Sequence, residues 1–423
     1  MSNTGLLRNK NELYQLPRNW DCKPLSDLAE DTERLNPSKT FPDRYFQYVD
    51  ISSIDNKLGI ITQCKTILGR QAPSRARKII KADNIVVATT RPSLKNIAII
   101  PSELDDALCS TGFCVLKAKP GIALPKYIYY ACRSDFFINQ LIPKQRGANY
   151  PAITDSNVFQ AVIPIPDPNN PSRSLDIQGW IVERIEALLT EIKASHDLLA
   201  KMRQDTERVI NVALEEVVQG FPSARKTLSD VLDLKPRNGW SPKCDNNPDG
   251  VPVLKLGAVL RFRYHPNEIK RTSLPVDPNA HYWLQAGDLL ISRSNTPELV
   301  GHAAIYSGNP FPCIYPDLLM RMTVDELKAD SQFVIYWLQT AEVREYVQTR
   351  TSGVSSTMKK ITKTDVCNIP FPEISLREQN QFTLYLNSIQ QETEAMLKTL
   401  EQDAQLLDQL ERSILERAFR GEL

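Results

Sequence analysis

Sliding the sequence along itself by 201 residues lays 178–220 onto 379–421 without a gap, with ALEEVVQG (213–220) meeting ILERAFRG (414–421). Self-similarity of this kind fixes an architecture before any element is assigned. Upstream segments align too, with small drifts in offset. LSD at 25–27 meets LSD at 228–230, NIVVATTRP (84–92) meets DLLISRSNTP (288–297), and YIYYACRSDFF (127–137) meets FVIYWLQTAEV (333–343). Gly147 meets Gly353, ITDSNV (153–158) meets ITKTDV (361–366), and the two runs leave through IPIPDP and IPFPEI. A unit of about 200 residues is therefore used twice in a chain of 423.

Each unit ends in a helix. Glycine and proline break helices, and the two longest windows holding neither are 180–219 and 373–420. In the first, Ile181, Ile185, Leu188, Ile192, Ser195, Leu199, Met202, Thr206, Val209 and Ala213 recur at alternating spacings of four and three. In the second, Phe382, Leu386, Ile389, Thr393, Met396, Leu400, Asp403, Leu407, Leu410 and Ile414 keep the same rhythm. That alternation is the seam of a coiled coil, although a stripe by itself also describes an ordinary core face. Short apolar runs broken by turn residues make the rest of each unit mixed α and β. The expected domains are 13–173, a helix at 174–220, a second mixed domain at 221–372, and a terminal helix at 373–423.

Charge sorts along these boundaries. The chain carries 51 basic and 50 acidic side chains, yet 1–173 holds 23 and 16 of them and 220–375 holds 18 and 16. The helices are acidic, with 5 basic against 8 acidic residues at 178–219 and 5 against 9 at 376–423. Basic domains suit a polyanion; acidic helices suit a protein partner or each other. No apolar run reaches the roughly 18 residues of a membrane helix, and the first residues lack a signal-peptide core. Eight cysteines in no CxxC pair and four scattered histidines suggest buried reduced thiols, no metal site and a cytoplasmic protein.

Clustered Lys and Arg are what a polyanion needs, since each neutralised phosphate releases counterions. GRQAPSRARKIIK holds Arg70, Arg75, Arg77, Lys78 and Lys81 with no acid, and TRTSGVSSTMKKITK holds Arg350, Lys359, Lys360 and Lys363, again with none. The latter's counterpart, PKQRGANYPAI, has Lys144, Arg146, Asn149 and Tyr150. LKPRNGWSPK adds Arg237, Asn238, Trp240, Ser241 and Lys243 in a further expected loop. Short polar side chains reach base edges, while cations hold phosphates. The expected base contacts are Arg146, Asn149 and Tyr150 in the first domain and Arg237, Asn238, Ser352 and Ser355 in the second. Arg75, Arg77, Lys78, Lys144, Arg350, Lys359 and Lys360 are assigned to phosphates. For any single loop, the alternative is a solvated basic turn.

Catalytic chemistry is hard to find. A methyltransferase acting on DNA amino groups would need an NPP[FYW]-type pocket and a glycine-rich cofactor loop, but GNPFPC (308–313) has one proline too few and no GxG occurs. No Gly-Lys pair occurs either, so a P-loop is absent. Asp317, Glu326 and Lys328 have a nuclease-like spacing, but Glu326 and Lys328 open an expected helix rather than sharing a strand face. A metal-dependent nuclease is thus one alternative, and a coiled-coil scaffold binding proteins through its basic domains is another.

At this point the sequence resembles a known family, the DNA specificity subunits of type I restriction-modification systems. SILERAFRGEL (413–423) looks like that family's terminal helix ending, and PFPEISLREQNQF (370–382) is similar to its "IPxPPLxEQ" lead into the conserved helix. PIPDPNNPSRSLDIQGWI is a looser version that keeps Gln178. LPRNWDCKPLSDLAE (16–30) resembles the family's "LPxGW…LxDL" opening with Asn19 in place of glycine, and TLSDVLDL (227–234) is the second opening. The resemblance implies an α+β fold of two target recognition domains whose helices pack as an antiparallel coiled coil. Each domain would read one half of a bipartite site in double-stranded DNA, with half-sites near one helical turn apart. The helices, about 60 Å long at 1.5 Å per residue, would set the spacing. They would also dock two methyltransferase subunits, which restriction subunits join. The chain itself would be a non-catalytic subunit without a cofactor. A specificity subunit serving a methyltransferase that lacks the type I nuclease is the nearest variant.

Overall fold

A computed structural model of the chain describes residues 16–221, 226–352 and 358–423. It divides into two units: one holds residues up to Leu199 together with Gln402–Leu423, the other Ala200–Glu401. Both long helices are shared between the units.

The first unit is built on an antiparallel sheet in the order Ala29–Glu30, Phe113–Ala118, Ile85–Ala88, Ile97–Ile99. All four residues of Ile85–Ala88 are buried, as expected of a strand covered on both faces. The two-residue period sorts them: Ile85 and Val87 join the helices Pro125–Arg133 and Asp135–Leu141, while Val86 and Ala88 join a second sheet. That sheet runs Lys65–Leu68, Tyr45–Val49, Ala107–Ser110, Ala76–Ile80. Trp20–Pro24 pairs antiparallel with Val162–Pro166 and ties the start of the domain to its end.

In the second unit the core sheet repeats this order with Leu232–Asn238, Leu319–Val324, Leu289–Ser292 and Ala303–Ile305. Helices Ser331–Trp337 and Ala341–Arg350 follow, and Lys226–Thr227 pairs with Pro370–Phe371. Even the capping boxes recur, at Thr154 with Asn157 and at Thr362 with Asp365. The duplication read from the sequence is thus a duplication of strand order. The second sheet recurs in reduced form: Val251–Leu254 pairs antiparallel with Ile269–Thr272, and single bridges continue the order, Val253 to Ile314 in parallel and Ile314 to Trp283 antiparallel. The hairpin of Val259–Leu260 with Arg263–Tyr264 stands where Ile54–Asp55 pairs with Ile60–Ile61 in the first unit.

The central helix spans Pro171–Val218 and the terminal helix Leu376–Arg420. The central one starts earlier than the glycine- and proline-free window: Pro171 sits in its first turn, where proline is well tolerated, and Gly179 is carried inside it at a modest cost in propensity. In the first unit, Ile181, Ile185 and Ile192 share a core with Ile414, Ala418 and Phe419, and Leu188 and Leu407 are half-buried against it. In the second, Ala213 and Leu214 cluster with Leu386, joined by the half-buried Ile210 and Ile389. The start of each helix therefore lies beside the end of the other, which is antiparallel pairing. Leu400 is also buried, and Leu199 and Phe382 are half-buried. Leu410 is 49% exposed, as is Val209 at 46%, so neither sits in the seam. Ala404 and Glu411 are the more covered residues. A stripe of alternating three and four leaves each intervening position ambiguous by one residue, and Asp403 gave no apolar marker to fix it.

The cysteines are only partly as expected. Cys109, Cys114, Cys132 and Cys313 are buried, but Cys64 is exposed. Burial pushes the Cys109 thiol up to about 12, which makes it a packing group rather than a nucleophile.

Candidate nucleic-acid interface

One end of the first core sheet gathers the candidate residues. Thr111 N–H donates to Arg75 O (2.8 Å), and Thr89 donates to Gly112 O through its N–H (2.8 Å) and its hydroxyl (2.9 Å). Ile153 N–H donates to Thr89 O (2.8 Å), while Arg146 and Ala152 exchange two bonds of 2.9 Å that close the hairpin carrying Asn149 and Tyr150. Gly147 turns that hairpin at φ +100°, which glycine alone adopts readily. Backbone bonding therefore runs unbroken from Arg75 to the hairpin. Tyr150 is 72% exposed, and Arg146 and Asn149 are exposed as well. Lys144 is half-buried in the turn just before.

The same edge is built again in the second unit. Arg293 N–H donates to Leu318 O (2.9 Å), Ile361 N–H to Arg293 O (3.0 Å), and Ser352 and Lys360 exchange two bonds of 2.9 Å. These bonds reproduce those of Thr89, Ile153 and the Arg146–Ala152 pair. Ser294 pairs with Lys360 and Asn295 with Lys359. Asp317, whose backbone carbonyl accepts from Arg293 Nη1 at 3.3 Å, also takes the Ser241 hydroxyl. Gly239 N–H reaches Leu319 O at 3.4 Å, which brings Asn238 to the same sheet end. Arg350 stacks on Tyr346 at 3.7 Å. Ser355 and Gly353 lie outside the described residues.

Several expectations need correction. Arg237 and Asn238 are not in a loop but close the strand Leu232–Asn238, opposite Arg321 and Met320. Lys78 is not a surface cation. Its side chain is 1% exposed, donates to Phe113 O at 2.7 Å, and pairs with Asp155 at 2.5 Å. A lysine so enclosed cannot reach a phosphate. The basic run around it is also less free than its sequence implies, because acids from elsewhere answer it: Arg70 pairs with Asp43 (3.3 Å) and Lys81 with Asp106 (2.6 Å). The Asp106 hydrogen bond holds the Lys81 ammonium above its ordinary range. Arg75 is exposed and Arg77 half-buried.

Two edge residues escaped the sequence reading, Arg91 and Arg293. Arg91 carries a signal in retrospect, an arginine directly before proline at the end of an apolar strand.

What holds these edges in place is also duplicated. The buried Gln178 accepts from Leu124 N–H (2.9 Å) and donates to Ile122 O (3.2 Å). Gln379 accepts from Asp330 N–H (3.0 Å) and donates to Lys328 O (3.4 Å). Each glutamine thus fixes the loop before a domain's first helix to the start of a long helix. The ends of the long helices grip the second domain helix. Glu416 accepts from Asp135 N–H (2.9 Å), and Glu215 accepts from Ala341 N–H (2.8 Å). A carboxylate there satisfies an orphan donor at the positive end of a helix. Each domain is therefore held by both long helices.

The nuclease alternative finds no support. Asp317 is engaged by Ser241, Lys328 pairs with Asp325 (2.9 Å), and residues 325–328 form a turn ahead of the helix starting at Ser331. Among the described residues no group of three His, Cys, Asp or Glu is placed to hold a metal, and no helix is long and apolar enough to cross a membrane.

Comparison with known proteins agrees with this geometry. A family profile described as the type I restriction modification DNA specificity domain matches residues 17–202. The StySPI type I restriction enzyme specificity subunit of Salmonella potsdam is 22% identical over 97% of this chain and 90% of its own. The EcoKI specificity subunit of Escherichia coli K12 is 23% identical with the same coverage. Among solved structures, the HsdS subunit from Thermoanaerobacter tengcongensis shares 33% identity at a TM-score of 0.63, covering 97% of this chain and 99% of that one. A chain solved to explain complex assembly and conformational transition of the type I R-M system shares 34% identity at a TM-score of 0.77, covering 97% and 100%.

Proposed function

Because the chain belongs to the specificity subunits of type I restriction-modification systems, we propose that it binds double-stranded DNA and that each domain reads one half of a bipartite target through its core-sheet edge. The observation that carries this reading is the repeated edge, built by equivalent backbone bonds in both domains and decorated with cations. In the first domain Arg75 and Arg146 have no acidic partner among the described residues, and cations of that kind are what a phosphate backbone takes up. Arg146, Asn149 and Tyr150 are assigned to bases in one half-site, and Arg237, Asn238, Ser352 and Ser355 to bases in the other. Arg75, Arg77, Lys144, Arg350, Lys359 and Lys360 are assigned to phosphates, and Lys78 is withdrawn.

The chain acts here without catalysis of its own. Two methyltransferase subunits dock on the long helices and perform the modification, restriction subunits complete the assembly, and the helix pair sets the half-site spacing, all in the cytoplasm. The test is methylation-aware sequencing of DNA from cells that carry this chain with its methyltransferase partner. A two-part motif with a fixed gap is the expected result, and methylation at unrelated sequences would overturn the reading. Arg237→Ala should then relax one half of that motif and leave the other intact.

A further inference from the structure

Arg91 is the most unusual residue on the first domain's edge. It is exposed, yet its backbone sits in the left-handed region at φ 49°, ψ 58°. Residues with a side chain rarely go there, and one preceding proline is pushed toward extended conformations instead. Strain of this kind persists only where the surroundings over-determine it, and it gathers at functional positions. The surroundings here are specific. Arg91 N–H donates to Pro151 O at 2.7 Å, and Nη2 donates to Asn149 O at 3.1 Å. The guanidinium lies 5.0 Å from the centre of the Tyr150 ring. One backbone bond and two side-chain contacts to the same hairpin thus hold a flexible side chain in a fixed pose.

That pose leaves Nε and Nη1 without a hydrogen bond among the described residues, and no acid pairs with the group. A planar fork held by stacking, with donors to spare and its charge unanswered, matches the two acceptors O6 and N7 on the major-groove edge of guanine. Of the four bases only guanine offers two acceptors side by side there. We infer that Arg91 is a specificity-determining residue that reads a guanine in the first domain's half-site, presented by the hairpin of Asn149, Tyr150 and Pro151. This deepens the DNA-reading function proposed above and rests on it.

The experiment uses the complex of this chain with its methyltransferase partner and duplexes carrying its methylated motif. Each guanine of the motif is replaced in turn by 7-deazaguanine, which lacks N7. One position in one half-site should weaken wild-type binding roughly tenfold, as loss of part of a bidentate contact does. Arg91→Ala should bind the unmodified duplex about ten- to hundredfold more weakly, and at that position alone it should show no further loss from 7-deazaguanine. Arg91→Lys keeps the charge but not the fork and should behave like alanine at that position. In cells, Arg91→Ala should relax one base pair of the motif and keep the other half-site.

Three results overturn the inference: an unchanged motif in Arg91→Ala, a 7-deazaguanine penalty that survives the substitution at every position, or a half-site without guanine. A uniform loss with all penalties retained would mean that Arg91 merely props the hairpin. If wild type itself prefers no sequence, the DNA-reading function fails first, and that outcome is seen before any variant is made.

Discussion

Lys78 and Arg75 stand three positions apart in one basic run, yet the fold gives them opposite duties. Lys78→Met would leave the Phe113 carbonyl and the Asp155 carboxylate without their buried donor, costing about 2–3 kcal/mol of stability. It should leave the salt dependence of DNA binding unchanged. Arg75→Ala should do the reverse, flattening the log–log salt slope by about one unit while stability moves within about 0.5 kcal/mol. Salt titrations and melting curves on both variants separate the two roles. Sequence could not, because Asp43, Asp106 and Asp155 answer this run from far along the chain. His302 carries a second residue-scale consequence. Burial, then Arg344 and Arg261, lower it from 6.5 to about 4, and its Nδ1 accepts from Arg261 N–H at 3.0 Å. The folded form therefore prefers the neutral ring. Its contribution is complete above pH 6.5 and is lost as pH falls toward 4, by about 3 kcal/mol over that window. His302→Gln, which cannot titrate, should show a shallower fall in melting temperature between pH 7 and pH 5 than wild type.

Among elements, the long helices were the most legible part of the chain, since their periodicity needs no distant partner. What the stripe could not settle was which of two adjacent positions enters the seam where no apolar residue marks it. Ile414 is buried and Leu410 half in solvent, so Ile414→Ala should cost about 2–4 kcal/mol and Leu410→Ala under about 0.5 kcal/mol in chemical unfolding. Equal losses would restore the register expected from sequence. The strand at 232–238 was missed for a related reason. Pro236, Asn238 and Gly239 read locally as a turn, and proline and asparagine are depleted in strands. The ladder to Leu319–Val324 tolerates them through register shifts around Leu234 and Arg237. Glu215 and Glu416 were invisible as anchors, because an exposed-looking glutamate on an acidic helix carries no mark of the backbone N–H it will meet.

For the molecule as a whole, the internal repeat foretold two domains of one design, and the common strand order bears that out. It did not foretell the second sheet, because the strands Tyr45–Val49 and Val251–Leu254 hold the same place in the pairing without a matching run of sequence. Nor did it say how the sequence halves are shared out. The last eleven residues, 413–423, belong to the unit that contains the first domain, not the second. There Ile414, Ala418 and Phe419 complete a core with Tyr127 and Phe137, Phe419 meets the Tyr127 ring edge-on at 5.2 Å, and Glu416 caps the helix at Asp135. Removing them should therefore loosen a domain that ended, in sequence, some 240 residues earlier. The loss combines an exposed aromatic core face with an uncapped helix, each worth one to several kcal/mol. Amide hydrogen exchange should accelerate across 125–141 in the shortened chain, and the equivalent helices at 331–350, held instead by Glu215 and the central helix, should keep their protection. Faster exchange at 331–350 with 125–141 unaffected would show that each helix end serves the domain preceding it in sequence, and the shared anchoring described for both units would have to be abandoned.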